Sequence, residues 1–264
     1  MLNVPGHPDL KKVVVLNPKG GSGKSTLVTN LAGMLASRGQ RVAVMDCDPQ
    51  GSSVRWLSRR DPAREPIHGI AAYEHDAAVT RSFQRRVPAE VRCLVVDTPA
   101  ALRVQDLAAF TRGAHAILVP VLPSAIDIHA VTKLIEKLLL VAKVSRRMGR
   151  LGVIANRVRE NTVSFRKLKI FLDRLDISTV CQLRDSQNYV YAAEHGMSIH
   201  ELQPSRARKD LVQWQPLIDW LSLRLETPLT DRDLLAPDDD RRNEDSNVRY
   251  LADALADRAI RGNK

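Results

Sequence analysis

The chain has 264 residues, of which 44% are hydrophobic, and its 40 Lys and Arg exceed its 30 Asp and Glu to give a formal charge of +10. This length suits one domain with a sizeable core and a tail. The longest apolar stretch, around residues 114–126, is interrupted by Pro120 and Pro123, so the sequence predicts no membrane-spanning segment. No basic-then-apolar secretory pattern opens the chain, and its three cysteines form no C-x-x-C pair. We therefore expect a cytoplasmic protein with reduced cysteines.

The charge is unevenly distributed along the chain. Residues 227–264 contain nine acidic and seven basic residues, which leaves 33 basic and 21 acidic residues in 1–226. We predict an α/β domain over 1–226, a charged flexible linker over 227–247 and a short helix or tail over 248–264. A body this basic is typical of proteins that bind a polyanion, most often nucleic acid or an anionic membrane.

Short apolar runs alternate with helical patterns throughout the predicted domain. Strands are predicted at 12–17, 41–46, 67–73, 91–97, 114–120, 152–156 and 179–183, and helices at 25–38, 77–86, 104–111, 124–147, 164–175 and 205–225. This alternation, with strands rich in Val, Leu and Ile, predicts a doubly wound, mostly parallel sheet with helices on both faces. Ligands of such a sheet bind at the carboxyl ends of its strands.

A glycine-rich loop lies between the first predicted strand and the first predicted helix. Its glycines would let backbone N–H groups surround phosphate oxygens at a helix N-terminus. Lys24 would add a full charge, and the Ser25 hydroxyl is placed to bind Mg²⁺. Pro18 stands where the usual phosphate loop has glycine, and Lys19 is a second cation. The residues predicted to bind nucleotide in this loop are Gly20, Gly21, Ser22, Gly23, Lys24, Ser25 and Thr26.

Carboxylates follow two of the predicted strands. Asp46 and Asp48 end the second strand, and Asp97 ends the fourth. On an extended chain the first two side chains point the same way, toward the carboxyl edge of the sheet. With a nucleotide in the loop, one carboxylate can contribute to the Mg²⁺ shell and another can orient a water for attack on the γ-phosphate.

Three motifs together resemble the ParA/MinD family of partition and positioning ATPases. Residues 19–26 are similar to that family's deviant Walker A motif, residues 46–51 to its switch I and residues 95–99 to its Walker B motif. The segment from Val119 to Ile128 also resembles the family's fifth strand and the following helix. The resemblance covers about residues 10–225 and implies a P-loop NTPase fold that uses ATP and Mg²⁺.

The resemblance also implies roles for individual residues. Lys19 would reach the nucleotide of the other subunit in an ATP-dependent homodimer. Asp48 would position the attacking water, with Asp46 in support. Ser25, Asp46 and Asp97 are the residues predicted to hold Mg²⁺. Asn156 matches the place where relatives contact adenine, although an Asn that simply ends a strand has the same appearance.

Within the family, the chain resembles the small ParA-like type that lacks an N-terminal helix-turn-helix domain. This type binds double-stranded DNA without sequence preference, associates with the nucleoid and positions a cargo with a ParB-like or other adaptor protein. Lys and Arg contacts to phosphates would make such binding sensitive to salt. The basic residues proposed to contact DNA are Arg206, Arg208 and Lys209 as the preferred patch, with Arg184, Arg157 and Arg159.

Two other functions fit parts of the sequence. A MinD-like membrane-associated ATPase would end in a basic amphipathic helix, whereas Asp253 and Asp257 interrupt the polar face here, so no stable membrane association is expected. A biosynthetic ligase related to cobyric acid synthase or dethiobiotin synthetase would need a pocket for a second substrate. The Asp-Pro-Gln-Gly sequence at 48–51 argues against that class.

Overall fold

The computed structural model describes residues 8–74, 86–175 and 177–229. The strands are β1 Lys11–Val15, β2 Val42–Asp46, β3 Ile67–Ala71, β4 Cys93–Asp97, β5 Ala116–Val121, β6 Leu151–Val158 and β7 Ser178–Arg184. The helices are α1 Lys24–Ser37, α2 Ser52–Leu57, α3 Val104–Thr111, α4 Ala125–Leu140, α5 Val163–Arg174, α6 Gln187–Glu194 and α7 Pro204–Leu225, with a 3-10 turn at Ile199–Glu201.

The described strands form one sheet in the order β3-β2-β4-β1-β5-β6-β7, and every pair of neighbours is parallel. This confirms the predicted doubly wound sheet. The register pairs Asp97 with both Val15 and Asp46, so β1, β2 and β4 end at the same edge. The phosphate loop and the predicted acids therefore meet at the carboxyl edge of the sheet.

Helices cover both faces of the sheet. Because successive strand residues point to opposite sides, Val13 and Val15 pack in the cluster with α1 and α7. Val14 and Leu16 pack in the cluster with α3, α4 and α5. A sheet buried on both faces explains why its strands are apolar throughout rather than alternating.

Several helix predictions needed correction or lie outside the description. The predicted helix at 124–147 ends at Leu140, because Lys143 adopts a φ of 53° and Val144 turns into the core. The short helices α2 and α6 were not predicted. The predicted helix at 77–86 falls almost wholly on residues outside the description, as do the tail and most of the linker. None of the described helices is long and apolar enough to cross a membrane.

Candidate nucleotide-binding site

The loop between β1 and α1 has the backbone that phosphate binding needs. Gly21 and Gly23 have φ values of 74° and 90°, which side chains other than glycine rarely adopt. A Cβ atom on Gly23 would also lie 2.2 Å from the side-chain nitrogen of Asn156, whereas a Cβ on Gly20 would meet nothing within 4 Å. Helix α1 begins at Lys24, so its first N–H groups face this loop.

Lys24 is the first residue of α1, and its side chain extends back to the glycine-rich loop. Its side chain is buried, and Nζ donates a hydrogen bond to the backbone oxygen of Lys19 at 3.1 Å. Burial lowers the pKa of Lys24, while the charges of Asp97 and Asp48 act in the opposite direction. An anionic phosphate beside Nζ would favour the charged form further, so this lysine is suited to bind phosphate.

Lys19 points elsewhere. Its Nζ lies 2.7 Å from Oδ2 of Asp127, a carboxylate that is 2% exposed near the start of α4. The hydroxyl of Ser124 also bonds to this oxygen, and the backbone N–H of Asp127 donates to Ser124 in return, so the carboxylate is held at the helix N-terminus. The sequence showed the Ser-x-x-Asp spacing of a helix cap, but nothing in it indicated a lysine partner.

Asp46 is wholly buried and shapes the backbone after β2. Its Oδ1 accepts the N–H of Asp48 at 3.0 Å, and its Oδ2 accepts the N–H groups of Ser53 and Val54 at 2.9 and 3.2 Å. Burial raises the pKa of Asp46, although these three bonds lower it. The Asp46 carboxylate thus accepts two of the N–H groups in the first turn of α2, although it lies six residues before the helix. A role of Asp46 in catalysis or Mg²⁺ binding stays a prediction.

Asp97 is buried at the end of β4 and lies beside the phosphate loop. Its Oδ2 accepts the hydroxyl of Ser53 at 2.7 Å, and the Ser25 hydroxyl lies nearby. Burial raises the pKa of Asp97 to about 6. Within the described residues its Oδ1 has no hydrogen-bond partner. Ser53, which the sequence analysis missed, therefore joins Asp46 to Asp97.

A cavity of about 800 Å³ opens at the phosphate loop, where Lys24 and Ser25 line it but Asp46 and Asp97 do not. This volume lies within the range of small-molecule sites. Asp48 lies in its wall, and the cavity continues past the ends of β6 and β7 to α6. The predicted nucleotide residues that line it are Gly20, Gly21, Gly23, Lys24, Ser25, Thr26 and Asn156, whereas Ser22 donates a hydrogen bond to the loop backbone instead.

Asn156 braces the loop. Its side-chain N–H donates to the backbone oxygen of Ser22 at 2.9 Å, and its side-chain oxygen accepts the N–H of Arg157. These bonds fix the glycine-rich turn against the end of β6. A contact between Asn156 and adenine stays a prediction, and its position in the cavity wall is compatible with it.

The residues at this site fit a nucleotide with Mg²⁺. Among the described residues, no three His, Cys, Asp or Glu side chains cluster as a protein-only metal site would need. Mg²⁺ is usually held by one or two carboxylates or hydroxyls together with substrate phosphates. The unpartnered Oδ1 of Asp97 and the adjacent Ser25 hydroxyl match that donor set.

The arginines predicted to contact DNA are mostly engaged within the chain. Arg184 forms two hydrogen bonds with Asp210, at 2.6 and 3.1 Å. Arg157 and Arg159 both bond to Asp185 and line the cavity instead of a separate surface. The guanidinium of Arg206 stacks 3.6 Å above the ring of Tyr191 and donates to Asn188.

Two members of the preferred patch are different. Arg208 and Lys209 lie exposed on the first turns of α7, and neither forms an ion pair within the part of the chain that the structure describes. The structure thus brings most of the phosphate-loop residues to one cavity, but it does not gather the proposed DNA-binding cations into one patch. The binding of nucleotide or DNA by these residues stays a prediction.

Comparison with known proteins agrees with this geometry. Residues 13–199 match the model of the CobQ/CobB/MinD/ParA nucleotide binding domain. The chain is 28% identical over 194 residues to the maintenance of carboxysome distribution protein A of Halothiobacillus neapolitanus, covering 72% of this chain and 87% of that protein. It is 34% identical over 142 residues to the protein of the same name from Gloeobacter kilaueensis, covering 52% and 60%.

A solved structure extends the likeness to the fold. The structure of a plasmid partition protein from Borrelia burgdorferi B31 bound to AMPPNP superposes with a TM-score of 0.61 at 12% identity, covering 80% of this chain and 99% of that one. Since the family model spans well over half of the sequence, the chain belongs to the CobQ/CobB/MinD/ParA family of nucleotide-binding proteins, on its ParA/MinD side.

Proposed function

We propose that the protein is an ATP-dependent switch that dimerises around bound ATP, hydrolyses it slowly and positions a cargo with an adaptor protein. The observation that carries the proposal is the placement of Lys19. This lysine belongs to the phosphate loop, yet its side chain is 37% exposed and pairs with Asp127 outside the cavity wall. Because Lys19 does not line its own chain's cavity, it favours a nucleotide in a second subunit, which it would reach by leaving Asp127.

The chain's own residues support a simple division of labour in hydrolysis. Lys24 and the loop N–H groups would hold the phosphates, and Ser25 and Asp97 would hold Mg²⁺, which supplies charge neutralisation at the phosphates. Asp48 lies in the cavity wall, with its backbone fixed by Asp46, and would orient the attacking water. A transferred phosphoryl needs one more positive charge, which Lys19 of the other subunit would provide.

We further propose that the ATP-bound dimer associates with the nucleoid through DNA of any sequence. The surplus of basic residues in 1–226 and the exposed cations Arg208 and Lys209 support this part of the proposal. Two relatives are named for carboxysome distribution, which supports a cellular complex of that kind as the cargo.

The test is the mass of the protein in solution with Mg²⁺ and ATP, measured by light scattering. Asp48→Ala should bind ATP and form a long-lived dimer because hydrolysis is lost while the phosphate contacts remain. Lys19→Ala should bind ATP to a similar extent and stay monomeric. A Lys19→Ala protein that dimerises as well as Asp48→Ala would overturn the role of Lys19.

The rate of hydrolysis separates a switch from a metabolic enzyme. We expect the protein alone to turn over far below the roughly 1–100 per second of metabolic phosphoryl-transfer enzymes. The protein should bind random duplex DNA only when ATP is present. Fast turnover without any added protein or DNA would contradict the proposal.

A further inference from the structure

A second cavity lies between α3 and α4 and extends to Pro18 at the start of the phosphate loop. It measures about 220 Å³ and is almost wholly apolar. Leu107 and Leu134, which are nearly inaccessible to solvent, line it together with the more exposed Val104 and Ala130. We call this cavity, with the residues around it, the α3–α4 groove.

The entrance to the α3–α4 groove is positively charged. Lys133 and Lys137 lie one turn apart on α4 and both are exposed. Across the described ranges, neither lysine forms an ion pair, and no carboxylate lines the groove. Two free ammonium groups beside an apolar hollow favour an occupant that combines negative charge with an apolar side chain.

The groove adjoins the nucleotide machinery. Pro18, which replaces the first glycine of the usual phosphate loop, contributes to its wall. The next residue is Lys19, whose side chain bonds to Asp127 on the same helix that carries Lys133 and Lys137. A molecule in the groove would therefore touch the phosphate loop and α4 together.

We propose that the α3–α4 groove binds a partner protein through a short acidic segment bearing one large apolar anchor residue. An apolar cavity of about 150 Å³ accepts benzene. The groove thus has room for one Phe- or Leu-sized side chain. Duplex DNA would satisfy the lysines but offers no apolar side chain to the hollow. The proposal rests on the proposed function, since it gives the chemistry of the adaptor that a positioning ATPase needs.

The test uses a fluorescent synthetic peptide with one central Phe flanked by glutamates, and a second peptide in which lysines replace the glutamates. Binding to the full chain is measured by anisotropy, with saturating ADP. We expect the acidic peptide to bind the native chain at least tenfold more tightly than the basic peptide. The double variant Lys133→Glu, Lys137→Glu should reverse this preference, and Ala130→Trp should remove binding by filling the hollow.

The matched control is Lys167→Glu with Lys169→Glu, which changes the same charge on exposed residues of α5 outside the groove. It should leave the acidic peptide's affinity within twofold. If both double variants lose the same affinity for the acidic peptide, the proposal is wrong, because the peptide would then respond only to the overall charge of the protein. Absence of binding to the native chain would overturn it as well.

Two further readouts identify other occupants. If Lys133→Glu, Lys137→Glu loses ATP-dependent retention on random duplex DNA, the lysines serve nucleic acid and the proposal is wrong. If it loses ATP-dependent dimerisation, the groove belongs to the contact between two copies, which also overturns it. ADP binding by each variant is measured separately, so failure of the groove proposal is distinct from failure of the proposed ATPase.

Discussion

Cations that the sequence marks as phosphate ligands occur in two regions of the molecule, and the fold treats them differently. At the phosphate loop, Lys24 donates to a backbone oxygen and faces an open cavity, while nearby Asp97 keeps one oxygen unpartnered among the described residues. At the carboxyl ends of β6 and β7, Arg157, Arg159 and Arg184 are already bound by carboxylates of their own chain.

The two regions differ in whether the charged side chain is already paired with a carboxylate of its own chain. A guanidinium that makes two hydrogen bonds to a buried carboxylate must give up that geometry before it can bind another anion. Lys24, which donates to a single backbone carbonyl beside the cavity, gives up less when it binds an anion. Net charge along the chain therefore overestimates the basic surface that is free to contact DNA.

Asp210 holds Arg184 in place at the end of β7, and its replacement should lower stability more than any other change considered below. Asp210 is wholly buried and accepts hydrogen bonds from Arg184, Ser186 and Asn188. Asp210→Ala should lower the free energy of unfolding by about 3 kcal/mol, since it leaves three donors without their shared acceptor. Urea denaturation measures the change. Asp219→Ala, on the exposed side of the same helix, should cost less than about 0.5 kcal/mol, and equal losses would contradict a structural role for Arg184.

Asp97, beside the phosphate loop, should make the stability of the protein depend on pH. The pKa of Asp97 in the folded chain is about 6, above the roughly 3.9 of an unfolded aspartate. Between these values the native state binds more protons, so stability without nucleotide should fall as the pH rises from 4 to 6 and stay low above 6. Asp97→Asn should remove this loss and stabilise the nucleotide-free protein by about 2 kcal/mol at pH 8, and by little at pH 4.

Urea denaturation at both pH values measures this effect, with Asp173→Asn on the exposed face of α5 as control. Mg²⁺ with ATP should stabilise the native chain much more than Asp97→Asn, because the variant loses a charge from the proposed metal shell. If Asp97→Asn proves less stable than the native chain at pH 8, the buried charge of Asp97 does not destabilise the nucleotide-free protein as its raised pKa indicates.

Local sequence patterns predicted the strands and the phosphate loop because those features depend on neighbouring residues. Apolar β-branched runs give buried parallel strands, and glycines at fixed spacing give the turn before α1. The pairs Lys19–Asp127 and Arg184–Asp210 join residues 108 and 26 positions apart, and only the packed fold brings them together. Ser53 was missed for the same reason, since its hydroxyl meets Asp97 across 44 residues.

Arg208 and Lys209 are the two residues of the preferred DNA-binding patch that form no ion pair among the described residues. Arg208→Glu with Lys209→Glu should weaken ATP-dependent binding to random duplex DNA about tenfold and make it less sensitive to salt, because each lost phosphate contact reduces the salt slope by about 0.9. Arg157→Glu with Arg159→Glu is the matched control, and with saturating ATP it should change DNA affinity less than twofold. Filter binding at several salt concentrations would show the reverse order if the cavity arginines are the DNA ligands.

The smallest expected effect belongs to Asp185, which accepts bonds from Arg157 and Arg159 at 3.2 and 2.8 Å. The hydrogen bond from Arg159, followed by the influence of Arg157, lowers the pKa of Asp185. Its contribution to stability is therefore present above about pH 4 and is lost as the pH falls further. Because both arginines are largely exposed, Asp185→Asn should cost no more than about 0.5 kcal/mol at pH 7. Urea denaturation measures the change. If Asp185→Asn lowered the free energy of unfolding as much as Asp210→Ala, the exposed pairs of Arg157 and Arg159 would contribute as much to stability as the pair of Arg184 with the buried Asp210.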